Sequence, residues 1–270
     1  MFKDILVHVD DTGSGRARLE AAVDLAARFQ AYLSGLYVAS LLHYFSYVDP
    51  APWSWESCRQ ALLEEADKAQ QRFDAATTRA GITSEWRYVE GDALTVIGSY
   101  GSIVDLVVLG QPSEHASPVT RDIAGKVPLA TGRPTLLIPA AFSGTLGKRV
   151  LVAWNDSREA VRAAHDALPV LAQAEQVTVM AVNPPGEAPN GIPCAGIVEH
   201  LSRHGVKAEA MGELASGNSV GEVLLDQAAR QKADLIVMGA YGHSRLKEIM
   251  LGGVTRYMLK HATVPVLMSH

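Results

Sequence analysis

The chain is written twice, and that repetition constrains its fold more than any composition figure does. Lys3-Asp4-Ile5-Leu6-Val7-His8-Val9-Asp10-Asp11-Thr12 recurs as Lys148-Arg149-Val150-Leu151-Val152-Ala153-Trp154-Asn155-Asp156-Ser157, 145 positions later. Ile103-Val104-Asp105-Leu106-Val107-Val108-Leu109-Gly110 returns as Lys232-Ala233-Asp234-Leu235-Ile236-Val237-Met238-Gly239, at an offset of 129. Gly132-Arg133-Pro134-Thr135-Leu136-Leu137-Ile138 returns as Thr263-Val264-Pro265-Val266-Leu267-Met268, aligned on the prolines at an offset of 131. Matched segments in one order indicate a duplication, and the fall in offset gives the first copy the longer middle. The 270 residues, which on length alone allow one large domain or two, are therefore expected to form two domains, 1–141 and 147–270. The linker Ala-Phe-Ser-Gly-Thr-Leu-Gly at 141–147 is too short to let the copies roam, so they are expected to pack together.

Each copy alternates short β-branched runs with helical periodicity, the pattern of βαβ units around a parallel sheet. Strands are expected near 3–9, 33–39, 84–90, 104–109 and 135–138, and again near 149–154, 176–182, 206–212, 234–238 and 264–268. Helices are expected at 14–30, 54–80, 93–101 and 119–131, then at 157–172, 191–204, 217–231 and 246–261. ILVHV, LVVLG, VLVAW and LIVMG are apolar on both faces, as central parallel strands covered by helices require. The fold class is thus α/β, two tandem doubly wound five-stranded parallel-sheet domains.

Composition narrows the partners. Lysine and arginine number 24 against 29 acidic residues, a net charge of −5, which offers a polyanion no general field and disfavours nucleic acid. No run approaches the ~18 apolar residues of a membrane span, and MFKDILVHVDD lacks the basic and apolar regions of a secretory signal. Cys58 and Cys194 are far apart and in no CxxC pair, so a disulfide framework or cysteine zinc site is not expected and a cytoplasmic setting is.

In an open doubly wound sheet, ligands sit outside the carboxyl ends of the strands where the strand order reverses. In the second copy those positions carry Asn155-Asp156-Ser157, Asn183-Pro184 and Gly239-Ala240-Tyr241-Gly242-His243-Ser244. Thirteen residues beyond Gly239 comes Gly252-Gly253-Val254-Thr255. Glycines let backbone amides approach a ligand, and a helix start adds free N–H groups and the positive end of its dipole, a combination that favours phosphate. The first copy keeps Asp10 but reads Gly110-Gln111-Pro112-Ser113, with Arg121 and Asp122 roughly where the glycine pair stands. Bulkier side chains and a proline without N–H remove the amide cradle there.

These segments, Val150–Arg158, Ala233–Leu246 and Gly252–Leu267, with weaker echoes at Ile5–Thr12 and Asp105–Gly110, resemble a tandem member of the universal stress protein family. The resemblance implies a five-stranded sheet of the adenine nucleotide alpha hydrolase-like, Rossmann-like kind, dimerisation through the last strand and, in one subset, ATP held without strong hydrolysis. Carried onto this sequence, it puts phosphate at Gly239, Gly242, Gly252, Gly253, Val254 and Thr255, with His243 and Ser244 inside the glycine loop, and base and ribose at Trp154, Asn155 and Val182. Gly253 departs from the family's hydroxyl residue and Asn155 from its aspartate. The expected ligand is ATP or a related adenine nucleotide, with or without magnesium. The expected assembly is an intrachain pseudo-dimer, with or without a homodimer, and the expected role is regulation through association. A slow nucleotide hydrolase and a nucleotide-independent interaction module are the alternatives.

No catalytic or metal residue is assigned. His243 has no evident carboxylate partner, and His200 and His204, four apart on a helix, have no evident third ligand. No GxSxG, HExxH or GxxxxGK[ST] motif occurs. Met250 and Met258 read as core or interface, and the aromatic stretch Tyr44–Trp55 as a surface loop, a lid over the first copy or an oligomer contact.

Overall fold

Strands form where the apolar runs predict them. A computed structural model describes residues 1–40, 55–112, 118–183, 194–215, 217–242 and 253–270, and the chain separates into two compact units, 2–141 and 142–270. The first unit holds β1 (Asp4–His8), β2 (Tyr32–Ala39), β3 (Ser84–Glu90), β4 (Leu106–Gly110) and β5 (Thr135–Ile138), with α1 (Gly13–Phe29), α2 (Trp55–Ala80), α3 (Ala93–Gly101) and α4 (Pro118–Thr131). The second holds β6 (Arg149–Trp154), β7 (Gln176–Asn183), β8 (Ala208–Leu214), β9 (Leu235–Gly239) and β10 (Val266–Ser269), with α5 (Arg158–Asp166), α6 (Leu168–Leu171), α7 (Ala195–Arg203), α8 (Val220–Gln231) and α9 (Gly253–His261).

Within the first unit the order is β3-β2-β1-β4-β5 and within the second β10-β9-β6-β7-β8, every pair parallel. Registers recur with the sequence repeat: Ile5 lies opposite Leu106, and Val150 opposite Leu235. Strand order reverses between β1 and β4 and between β6 and β9, which opens a crevice at the carboxyl ends of those strands.

Ile5, Leu6, Val7, Leu106, Val107 and Val108 in one unit, and Val150, Leu151, Val152, Leu235, Ile236 and Val237 in the other, are buried. Each such side chain contributes roughly 1.5–3 kcal/mol. The helices that follow strands start on side-chain caps at the same edge. Thr12 accepts from Gly15 N, Asp92 from Thr95 N and Ser157 from Ala160 N, and Ser219 forms a reciprocal capping box with Glu222.

The helix expected at 157–172 is two helices, α5 and α6, with Ala167 between them. Pro169 lacks an N–H, and its ring crowds the carbonyl four residues back, which disfavours continuing α5 through this point. The helix expected from 191 begins at Ala195 and the one expected from 246 is described from Gly253. Residues 41–54, including most of the aromatic stretch, and 243–252, with Met250, lie outside the described residues. Met258 is fully buried in α9. Among the described residues no helix is long and apolar enough to cross a membrane.

Phe73 of α2 packs flat against β2, and a Cβ on Gly35 would stand 2.6 to 2.9 Å from its ring atoms. Gly35→Ala is expected to lower stability by about 1–3 kcal/mol through overpacking, read as a reduced urea midpoint with an unchanged m-value.

Candidate functional site

The crevice beside β6 and β9 holds a cavity of about 170 Å³. The carboxyl ends of β6, β7 and β9 supply Ala153, Trp154, Asn155, Met180, Val182, Met238 and Gly239, and α8 supplies Val220 and Leu224. Tyr241 and Gly242 of the loop after β9, and Gly253, Val254 and Thr255 at the start of α9, complete the lining. Every described residue assigned to the site from sequence, Trp154, Asn155, Val182, Gly239, Gly242, Gly253, Val254 and Thr255, therefore faces one cavity. His243, Ser244 and Gly252 lie outside the described residues.

Hydrogen bonds fix the two loops at its mouth. Asn155 Oδ1 accepts the Ser157 N–H at 3.2 Å, and the Trp154 indole N–H donates to Asp156 Oδ1 at 2.8 Å. Thr255 is buried, and its hydroxyl oxygen accepts the Tyr241 N–H at 3.3 Å, tying the glycine loop to α9. Asp156 and Tyr241 adopt left-handed backbone at φ 56 and φ 67. Such conformations cost non-glycine residues about 1–3 kcal/mol each and concentrate at ligand sites.

The glycines divide into two kinds. A Cβ on Gly239 would meet Ala160 N and Glu159 C at 2.6 Å, so this glycine admits the first turn of α5 against the strand end. A Cβ on Gly242 would stand 3.1 Å from Ser157 Oγ and 3.2 Å from Glu159 Oε2, again against α5. Among the described residues a Cβ on Gly253 would meet nothing within 4 Å. Close helix packing therefore explains Gly239, and Gly253 is open.

The first unit has a cavity of about 330 Å³ at its own switch point, lined by His8, Asp10, Asp11, Tyr37 and Glu65 among others. A Cβ on Gly110 would stand 2.6 Å from Arg18 Nη1, so Arg18, 3% exposed, fills the space beside the loop that follows β4. Arg18 Nη2 pairs with Asp10 Oδ2 at 2.9 Å. Burial works against ionising Asp10. Arg18, His8 and the hydrogen bonds from Thr12 and Arg18 outweigh it and hold the carboxyl well below the usual range. Burial, then the Arg18 charge, pushes the His8 ring down to about 4. Of Arg121 and Asp122, only the backbone is described.

A family model described as Universal stress protein family matches residues 1–122 and 197–270. The chain belongs to the universal stress protein family. It is 27% identical over 172 residues to Universal stress protein Slr1230 of Synechocystis sp., a match that takes in 60% of this chain and 57% of that protein. A universal stress protein from Archaeoglobus fulgidus superposes with a TM-score of 0.75 at 16% identity, covering 98% of this chain and 97% of that one. A protein of unknown function from Pseudomonas aeruginosa PAO1 superposes at 0.60 with 15% identity, over 99% and 92% of the two chains. Both likenesses show a shared fold over nearly the whole chain.

Five apolar side chains of the lining, Ala153, Met180, Met238, Val220 and Leu224, were not assigned from sequence. Met180 stands two residues before Val182, on the same face of β7, where strand alternation could have found it, whereas Met238 directly precedes Gly239. His200 and His204 gain a third imidazole from α5: the ring of His165 lies 4.8 Å from that of His200, which lies 4.8 Å from that of His204. Burial and the neighbouring His165, His204 and Arg203 push His200 down. Among the described residues no group of three His, Cys, Asp or Glu is placed to hold a metal.

Gly239→Ala is expected to cost about 1–3 kcal/mol, because backbone rather than a flexible side chain must move, and guanidinium unfolding measures it. Acid adds a second test. The folded His8 value of about 4 lies below its ordinary 6.5, so the unfolded chain takes the proton first as pH falls. Stability should drop between pH 6.5 and 4 by an amount on the order of 3 kcal/mol. Asp10, held low, loses its contribution below that window. His8→Ala, the residue that Ala153 provides in the other unit, should flatten the slope of urea-unfolding free energy between pH 6.5 and 4.

Proposed function

We propose that residues 142–270 bind ATP or a related adenine nucleotide, one per chain, and that the protein regulates through association rather than as a fast enzyme. The observation that carries this reading is the convergence of the sequence-assigned positions on one cavity at the strand-order switch. Its chemistry suits the ligand. Met180, Val182, Leu224 and Met238 form an apolar wall for a planar base, and Asn155 stands at the rim to hydrogen-bond sugar or base. The start of α9 also lines the cavity, so its first N–H groups and positive dipole end are available to phosphate. Among the described residues none that lines the cavity is charged, and there the α9 amides are the groups offered to phosphate.

The first unit acts as the degenerate partner in this reading. Arg18 packed beside Gly110 supports it, because the guanidinium stands where a glycine loop would otherwise be approached. Association of the two halves through their last strands, and ATP as a magnesium complex, belong to the same proposal.

Gly253→Arg is the direct test. With open space around its Cβ, this position accepts a long side chain without disturbing the fold while filling the cavity. Calorimetry should show one ATP site per wild-type chain and an affinity at least about tenfold weaker in the variant, with an unchanged melting temperature. Wild-type protein that binds no nucleotide at millimolar ATP overturns the reading.

A further inference from the structure

We propose that the cavity in residues 2–141 is a second ligand site, selective for a small organic cation with an ammonium or guanidinium group on an aliphatic chain. It is built at the same strand positions as the cavity in residues 142–270. His8 pairs with Leu36 as Ala153 pairs with Met180, so His8, Asp10 and Val38 stand where Ala153, Asn155 and Val182 stand. At about 330 Å³ it is large enough for a small organic molecule.

The residues at these shared positions carry different chemistry. Asp10, Asp11 and Glu65 face the first cavity, whereas among the described residues no charged one lines the second. Arg18 neutralises Asp10, and Arg72 forms an ion pair with Asp11. Among the described residues Glu65 is met by the Tyr37 hydroxyl, which donates to Oε2 at 3.3 Å. Burial and that carboxylate push the Tyr37 hydroxyl up, so it remains a donor. With His8 neutral, the group carries one uncompensated negative charge.

His8 lines the cavity, and its ring makes no hydrogen bond to any described residue. A neutral imidazole presents one donor and one acceptor to a ligand. Val9, Val38, Ala93 and Ile123 supply the apolar wall along which methylene groups can lie. A polyphosphate would meet three carboxylates and no free cation among the lining residues, so the site excludes the ligand proposed for the other unit.

Calorimetry on the full chain with agmatine as the probe, at pH 7.5 and low salt, tests this. Agmatine should bind one site per chain, and Glu65→Gln should weaken it by about tenfold, the loss of one charge-assisted pair. His8→Ala should also weaken it, and circular dichroism should show both variants folded. Gly253→Arg, which fills the other cavity, should leave the agmatine isotherm unchanged, so a failure of nucleotide binding there and a failure of this proposal are distinguishable. No agmatine binding at 10 mM (roughly −3 kcal/mol of affinity or weaker) overturns the proposal. So does binding that Glu65→Gln does not alter, or that Gly253→Arg abolishes.

Discussion

The parallel pairing of β1 with β4, and of β6 with β9, is the constraint on which the rest of each unit depends. Such a pair is buried on both faces, so its strands must be short, apolar throughout and covered by helices. It also reverses the strand order, so the loops leaving its carboxyl ends diverge to opposite faces and leave a crevice. Both cavities stand at this reversal.

Close packing at that reversal decides what each crevice can hold. In the second unit α5 approaches β9 so tightly that only glycine fits at 239, and a Cβ on Gly242 would also crowd its first turn. In the first unit the corresponding Gly110 is approached by a buried arginine from α1, and the charge it introduces is answered by Asp10. One fold thus carries an uncharged cavity with a helix start at its edge and an acidic cavity with a neutral imidazole. The difference lies in a few side chains at equivalent positions, His8 for Ala153 and Asp10 for Asn155 above all.

Much of this was legible in the sequence. The repeat, the apolar strands and the helical periodicity are local signals, and strand and helix positions follow from them to within a few residues. The glycine spacing pointed to Gly239, Gly242 and Gly253 together. It did not distinguish the glycine needed for helix packing from the one facing open space, because a missing Cβ looks the same in sequence whichever neighbour occupies the gap. Proline was equally ambiguous. Pro128 is carried inside α4, whose Ile123, Ala124 and Val127 are buried, whereas the chain breaks before Pro169.

The sequence by itself determined the number of units, their α/β class and the strand ends beside which a cavity opens, since these follow from the repeat, periodicity and apolar runs. The tertiary structure decided the pairing of Arg18 with Asp10, the meeting of Glu65 and Tyr37 beside His8, and the third imidazole that His165 adds to His200 and His204. Each joins side chains on different elements. Their distance in space is set by how helices pack on a twisted sheet, which residue spacing along the chain does not encode.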